Sequence, residues 1–233
     1  MLKIWFVIFI VVSFFGGFCI WNLNPSSKEN ETSFVETSKS EVREISRGIT
    51  DLRDGKKYKT VAVGTQVWMA ENLNYDYGKY WTARSFCYAD KESNCSKYGR
   101  LYNYAAVMDS AGLLENRNIC PSGWHLPSKQ EWETLFAYVG NSGAGIKLKS
   151  KNGWMNSGNG TDEYGFSILP GGNRIRRKYG GEGDRTTFWM SVEKFYRSAY
   201  FDPNFQVVHV QSSENSIAIM VGNGAFYVRC VKD

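Results

Sequence analysis

Residues 120–132, Cys-Pro-Ser-Gly-Trp-His-Leu-Pro-Ser-Lys-Gln-Glu-Trp, decide the fold, because they set a cysteine, a tight turn and a helix start within thirteen positions. Ser128 stands where a helix N-cap belongs, and Glu131, three residues on, can reach back to the cap amide. Trp132, Leu135, Phe136 and Val139 then fall on one helical face, and Gly140 supplies the stop. That periodicity assigns Trp132 to the core rather than to a ligand platform. The run is read as a structural hub, with His125 hydrogen-bonded inside the turn.

Upstream, the chain divides by composition. No charged residue lies between Lys3 and Asn22, and Ile4 to Phe15 is almost continuous Ile, Val, Phe and Trp behind one basic residue. This is the pattern of a signal peptide or membrane anchor, assigned to residues 1–21. It is expected to be cleaved, retained or lipidated at Cys19, although Phe18 fits a lipoprotein site poorly. Residues 22–49 turn to Ser, Glu, Lys, Asn and Thr, a flexible polar stalk. Residues 50–233 are rich in Gly, Trp and Tyr and have the length of one domain.

The expected location is therefore extracytoplasmic, secreted or membrane-tethered at the cell envelope, and cysteine usage agrees. Setting Cys19 apart leaves Cys87, Cys95, Cys120 and Cys230, an even number suited to an oxidising compartment. Four cysteines allow three pairings. The most economical joins Cys87 to Cys95 and Cys120 to Cys230, the latter across 110 residues. Metal binding lacks support, since the cysteines are not in close pairs and His125 and His209 are the only histidines.

Turn signals divide the domain into short elements. Asp54-Gly55, alternating Tyr58, Val61 and Val63, Gly64-Thr65 and Val67-Trp68-Met69 predict two or three antiparallel strands. Leu101 to Met108 is apolar at helical spacing and predicts a short helix. Strands are predicted at Phe188–Val192, Gln206–Val210 and Ser216–Val221, with Ala225–Val231 as a final strand carrying Cys230. The expected class is α+β, with about two helices, short antiparallel strands and long irregular loops pinned by disulfides.

Chemistry is harder to place. A disulfide-bonded Cys120 leaves His125 no thiol to activate, and no Gly-x-Ser-x-Gly turn presents a serine. Glu131 and Glu133 face apart on their helix. Asp162 and Glu163, with Asn156 and Asn159 nearby, lack the spacing of a calcium loop and read as a stabilised turn. No catalytic residue, cofactor or metal ligand is assigned. The candidate binding surface is the basic cluster Arg174, Arg176, Arg177 and Lys178, together with the loop aromatics Tyr80, Trp81, Tyr196 and Tyr200. The plain alternative for the arginines is the solvated side of an edge strand. The net charge of +5 supports solubility and weak steering rather than a specific ligand, and export argues against nucleic acid.

Several ordered segments carry a resemblance. Asp51–Asn74 (DLRDGKKYKTVAVGTQVWMAENLN), Tyr98–Ala106 (YGRLYNYAA), Cys120–Trp132, Gly160–Pro170 (GTDEYGFSILP) and Val228–Asp233 (VRCVKD) resemble the Fibrobacter succinogenes major paralogous domain. That family implies a secreted or envelope protein and brings no established activity. More distantly, Trp124-His125-Leu126-Pro127 with Glu131-Trp132 and Arg229-Cys230 is similar to the formylglycine-generating enzyme group, which implies a C-type-lectin-like fold. There the terminal cysteine works with a second one five positions earlier to bind copper, and the matching position here is Ala225. The tripeptide and Trp-Asn-Asp elements of calcium-dependent lectins are missing, so the fold analogy carries no sugar site. The expectation is a non-catalytic display or binding domain of the bacterial envelope, its partner a polysaccharide or an envelope protein. A purely structural component and a metal- or thiol-dependent modifying enzyme are the alternatives.

Overall fold

The computed structural model describes residues 48–77, 83–108, 119–191 and 205–233, all within one unit, Glu41–Asp233. Residues 1–21, expected to be a signal or anchor, and most of residues 22–49, expected to be a stalk, lie outside the described residues. No helix among those described is long and apolar enough to cross a membrane.

Strands β1 (Ile49–Thr50) and β2 (Lys57–Tyr58) pair around a turn organised by Asp51, whose buried carboxylate accepts from the Arg53 amide and guanidinium. β3 (Thr60–Val63) and β4 (Gln66–Met69) form the hairpin that Gly64-Thr65 predicts. β5 (Ser85–Phe86) leads through a 3-10 turn into helix α1 (Glu92–Tyr98), and the Cys87–Cys95 disulfide closes that loop. Next come β6 (Leu101–Asn103), helix α2 (Tyr104–Met108) and β7 (Trp124–His125).

Helix α3 (Lys129–Val139) begins as the sequence predicts. Ser128 Oγ accepts from the Glu131 amide at 3.2 Å, and Glu131 Oε2 accepts from the Ser128 amide at 2.7 Å, a reciprocal cap. Helix α4 (Ala144–Leu148) follows. Beyond it run β8 (Gly171–Ile175), β9 (Lys178–Glu182), β10 (Arg185–Trp189), β11 (Gln206–Gln211), β12 (Ala218–Val221), β13 (Ala225–Phe226) and β14 (Val231–Lys232).

The fold is α+β, and its strand pairs are mostly antiparallel. One sheet runs β12-β11-β10-β8-β13-β6-β5, with β9 added to β8; a second runs β3-β4-β14-β7. Two cores fill it. Trp68, Trp132, Phe166 and Phe188 centre the first, with Trp68 and Trp132 rings 4.7 Å apart. Trp189, Phe226, Tyr102 and the Cys120–Cys230 disulfide centre the second. Both pairs of the economical cysteine scheme are formed.

Four expectations change. Leu101 to Met108 is not one helix, because its first three residues pair with β5 and β13, which overrides their helical spacing. The described residues hold four α-helices rather than about two, since α1, which starts within the Cys87–Cys95 loop and runs on to Tyr98, and α4 add to those expected. The predicted final strand is two strands in different sheets. Between them the Val228 carbonyl accepts from Leu73 and the Cys230 carbonyl from Met69, so the chain crosses from one sheet to the other. Strand β10 also starts earlier than predicted, at Arg185, and β12 later, at Ala218.

Candidate anion-binding site

The β8–β9 hairpin carries the predicted basic cluster. Asn173 faces Gly180, Arg174 faces Tyr179 and Ile175 faces Lys178, which leaves Arg176 and Arg177 as a two-residue turn. Both have positive φ, 50° and 65°. Two-residue hairpin turns need that conformation and normally take Asn-Gly, because a side chain costs roughly 1–2 kcal/mol per residue there. The sequence accepts that cost and places two guanidinium groups at the tip.

Arg174 is held flat on a platform. Its guanidinium carbon lies 4.1 Å from the Phe86 ring centroid and 5.2 Å from that of Tyr179. Tyr179 is itself fixed, because its hydroxyl donates to Asp90 Oδ1 and its ring packs 5.4 Å from that of Tyr88. Burial and the Asp90 carboxylate together push the Tyr179 phenol up to about 12, so it stays neutral. Gly172 makes the hairpin's approach possible. A Cβ there would come within 2.6 Å of the Tyr88 ring and 2.7 Å of the Gly180 carbonyl.

Sheet register completes the site. Ala225 pairs with Arg174 on one side and Asn103 on the other, and Arg84 and Asn103 exchange hydrogen bonds through the Arg84 amide and carbonyl. Arg84, Phe86, Asn103, Arg174 and Arg177 thereby line an open cleft of about 520 Å³. Among the described residues no carboxylate lies within ion-pair distance of Arg84, Arg174, Arg176 or Arg177. Nε of Arg174 is buried without a hydrogen-bond partner. Such an array attracts an anion and offers planar donors to its oxygens.

Of the predicted surface, Arg174 and Arg177 reach the cleft, whereas Arg176 and Lys178 are exposed beside it. The edge-strand reading fits only Lys178, on β9 at the edge of β8; Arg176 and Arg177 form the turn, and Arg174 is stacked rather than solvated. Tyr80, Trp81, Tyr196 and Tyr200 lie outside the described residues. Sequence reasoning missed Arg84, Phe86 and Asn103. No local signal marks them, since only the register through β13 brings them to β8.

The other groups weighed for chemistry are committed to structure. His125 Nδ1 lies 2.6 Å from Asp233 Oδ1, and Nε2 lies 2.7 Å from Glu131 Oε1, so the ring ties helix α3 to the strand β14 region rather than bonding within its own turn. Burial works against its charged form, yet the bonds to Asp233 and Glu131 outweigh it and raise its pKa. The sulfurs of Cys87 and Cys95 lie close to Glu92, but both are in a disulfide. Asp162 accepts from the Ser167 amide and hydroxyl, and Asn159 Oδ1 accepts from the Trp154 amide, as turn-forming groups do. Ala225, where the formylglycine-generating enzymes carry a cysteine, is a buried residue in the middle of the cross-sheet row.

Residues 61–232 match the model of the Fibrobacter succinogenes major domain. No curated protein and no solved structure matches the chain.

Proposed function

The chain belongs to the Fibrobacter succinogenes major domain family, and from that premise we propose that it is a non-catalytic, exported or membrane-tethered binding domain of the cell envelope. The scaffold in this reading is C-type-lectin-like, and its ligand is an anionic polysaccharide held at the arginine cleft. The observation that carries the reading is the Arg176-Arg177 turn. A hairpin that would be more stable with Asn-Gly instead holds two long cations in a disfavoured conformation, beside an arginine stacked on Phe86. The two disulfides support an oxidising, extracytoplasmic location. A non-catalytic role is supported by the pairing of Cys120 with Cys230 and by the two carboxylates that occupy both nitrogens of His125.

Affinity electrophoresis of the full chain through gels containing polygalacturonate, heparin or methylcellulose tests this. The expected result is retardation by at least one polyanion that weakens with salt, no retardation by methylcellulose, and loss of retardation in Arg84→Gln/Arg177→Gln. Equal mobility in every gel would leave a purely structural component. Equal retardation of the double variant would remove the arginine cleft from the function.

A further inference from the structure

A second cleft, of about 400 Å³, opens between the β2–β3 region, the segment 70–74 and helix α1. It shares no lining residue with the arginine cleft. Its lining includes Lys56, Lys57, Lys59, Lys97 and Arg229, against Glu71 as the acid. Lys56 is paired with Asp54 at 2.9 Å and Lys59 with Glu71 at 3.9 Å. Lys57, Lys97 and Arg229 have no ion-pair partner among the described residues, and Lys97 lies 4.5 Å from the Tyr98 ring centroid.

Arg229 is the unusual member, being 1 % exposed. Asn72 Oδ1 accepts from its Nε at 3.0 Å and from Nη2 at 2.6 Å, and the Phe166 carbonyl accepts from Nη1. A guanidinium has five N–H groups, so two remain, one on each terminal nitrogen. A buried charge without a counter-ion is costly, and burial pulls the Arg229 pKa down to about 9, which Glu71 and Asp162 only partly offset. The cleft also holds an unmet acceptor: Asn74 Oδ1 is buried without a hydrogen-bond partner.

These groups ask for one ligand with two properties. Two spare guanidinium N–H groups and two lysines without an ion-pair partner call for a carboxylate. The Asn74 acceptor calls for a donor, such as a hydroxyl, that an inorganic anion does not offer. The volume lies in the range of small-molecule sites, about 300–1,000 Å³, well beyond what a single inorganic ion fills. We propose that this cleft binds one acidic sugar residue, a uronate, whose carboxylate answers Arg229, Lys57 and Lys97 and whose ring hydroxyl donates to Asn74 Oδ1. The site stands independently of the arginine cleft and its polymer ligand.

The test is an NMR titration of the isotope-labelled full chain in detergent micelles, with D-galacturonate, D-galactose and inorganic phosphate as separate probes. Galacturonate is expected to move the amide signals of residues 72–74 and 96–99 and the Nε–H signal of Arg229. Galactose should bind about tenfold or more weakly, the loss expected when one charge-assisted contact is removed. Because Arg229 variants risk unfolding, the site is blocked instead by Ser96→Trp, an exposed position in the cleft lining, which should abolish the shifts; Lys97→Gln should weaken them severalfold. Arg177→Gln should leave them unchanged while losing polymer retardation, so the two clefts fail separately. The proposal is overturned if galacturonate moves nothing at its solubility limit, if galactose or phosphate binds as well, or if Ser96→Trp still binds.

Discussion

Replacing Cys120 and Cys230 together by Ala tests which cross-link carries the domain. In a chain-entropy description the cost of losing a disulfide grows with the logarithm of the loop it closes. The Cys120–Cys230 loop has a sequence separation of 110, which gives about 4.8 kcal/mol at 25 °C, while the Cys87–Cys95 loop, with a separation of 8, gives about 2.5 kcal/mol. All four cysteines are buried, so the packing lost with the sulfur atoms is similar in the two double variants and nearly cancels between them. Urea denaturation of the wild-type chain, Cys120→Ala/Cys230→Ala and Cys87→Ala/Cys95→Ala supplies the comparison. The long-loop variant is expected to lose about twice as much stability, a fall in Tm of roughly 10–20 °C for a domain of this size. An equal or greater loss in the short-loop variant would refute the entropic account and relocate the stabilising role to the 3-10 turn and helix α1.

Replacing Arg176-Arg177 with Asn-Gly should stabilise the domain by about 1–2 kcal/mol in the same denaturation assay, because the turn then carries residues suited to positive φ. The same variant should lose retardation in polyanion gels, and a stabilised variant with unchanged retardation would show that the arginines are not there for a ligand. For His125 the folded-state pKa is raised above the ordinary 6.5, so its contribution is fully present below that value and is lost as pH rises through the folded pKa. The stability gap between wild type and His125→Gln should therefore narrow from mildly acidic to mildly alkaline pH, and a constant gap would contradict the ion pairs to Glu131 and Asp233.

What the sequence made legible was local. The cap at Ser128 and Glu131, the apolar face of α3 and the Gly64-Thr65 turn each involve residues a few positions apart, and each is present. What it concealed depends on partners far along the chain. Leu101–Asn103 is a strand because Ala225 and Phe226 lie beside it, more than a hundred residues later. Arg84 joins Arg174 for the same reason. The arginine cluster was visible as composition, but its split into a stacked Arg174, a cleft-lining Arg177 and exposed neighbours follows from the hairpin register alone. Arg229 was legible as half of an Arg-Cys motif. Its lack of an acidic partner was not, since that is a property of everything packed around it.

The crossing from β13 to β14 has a bearing on when the domain can form. β13 joins β8 to β6 within the large sheet, β14 lies between β4 and β7 in the small one, and Cys230 is the partner that Cys120 awaits. A nascent chain that has reached only residue 224 can close neither sheet, however long it waits. Synthesis of a stretch eight residues long is thus the gate on completing both sheets at once.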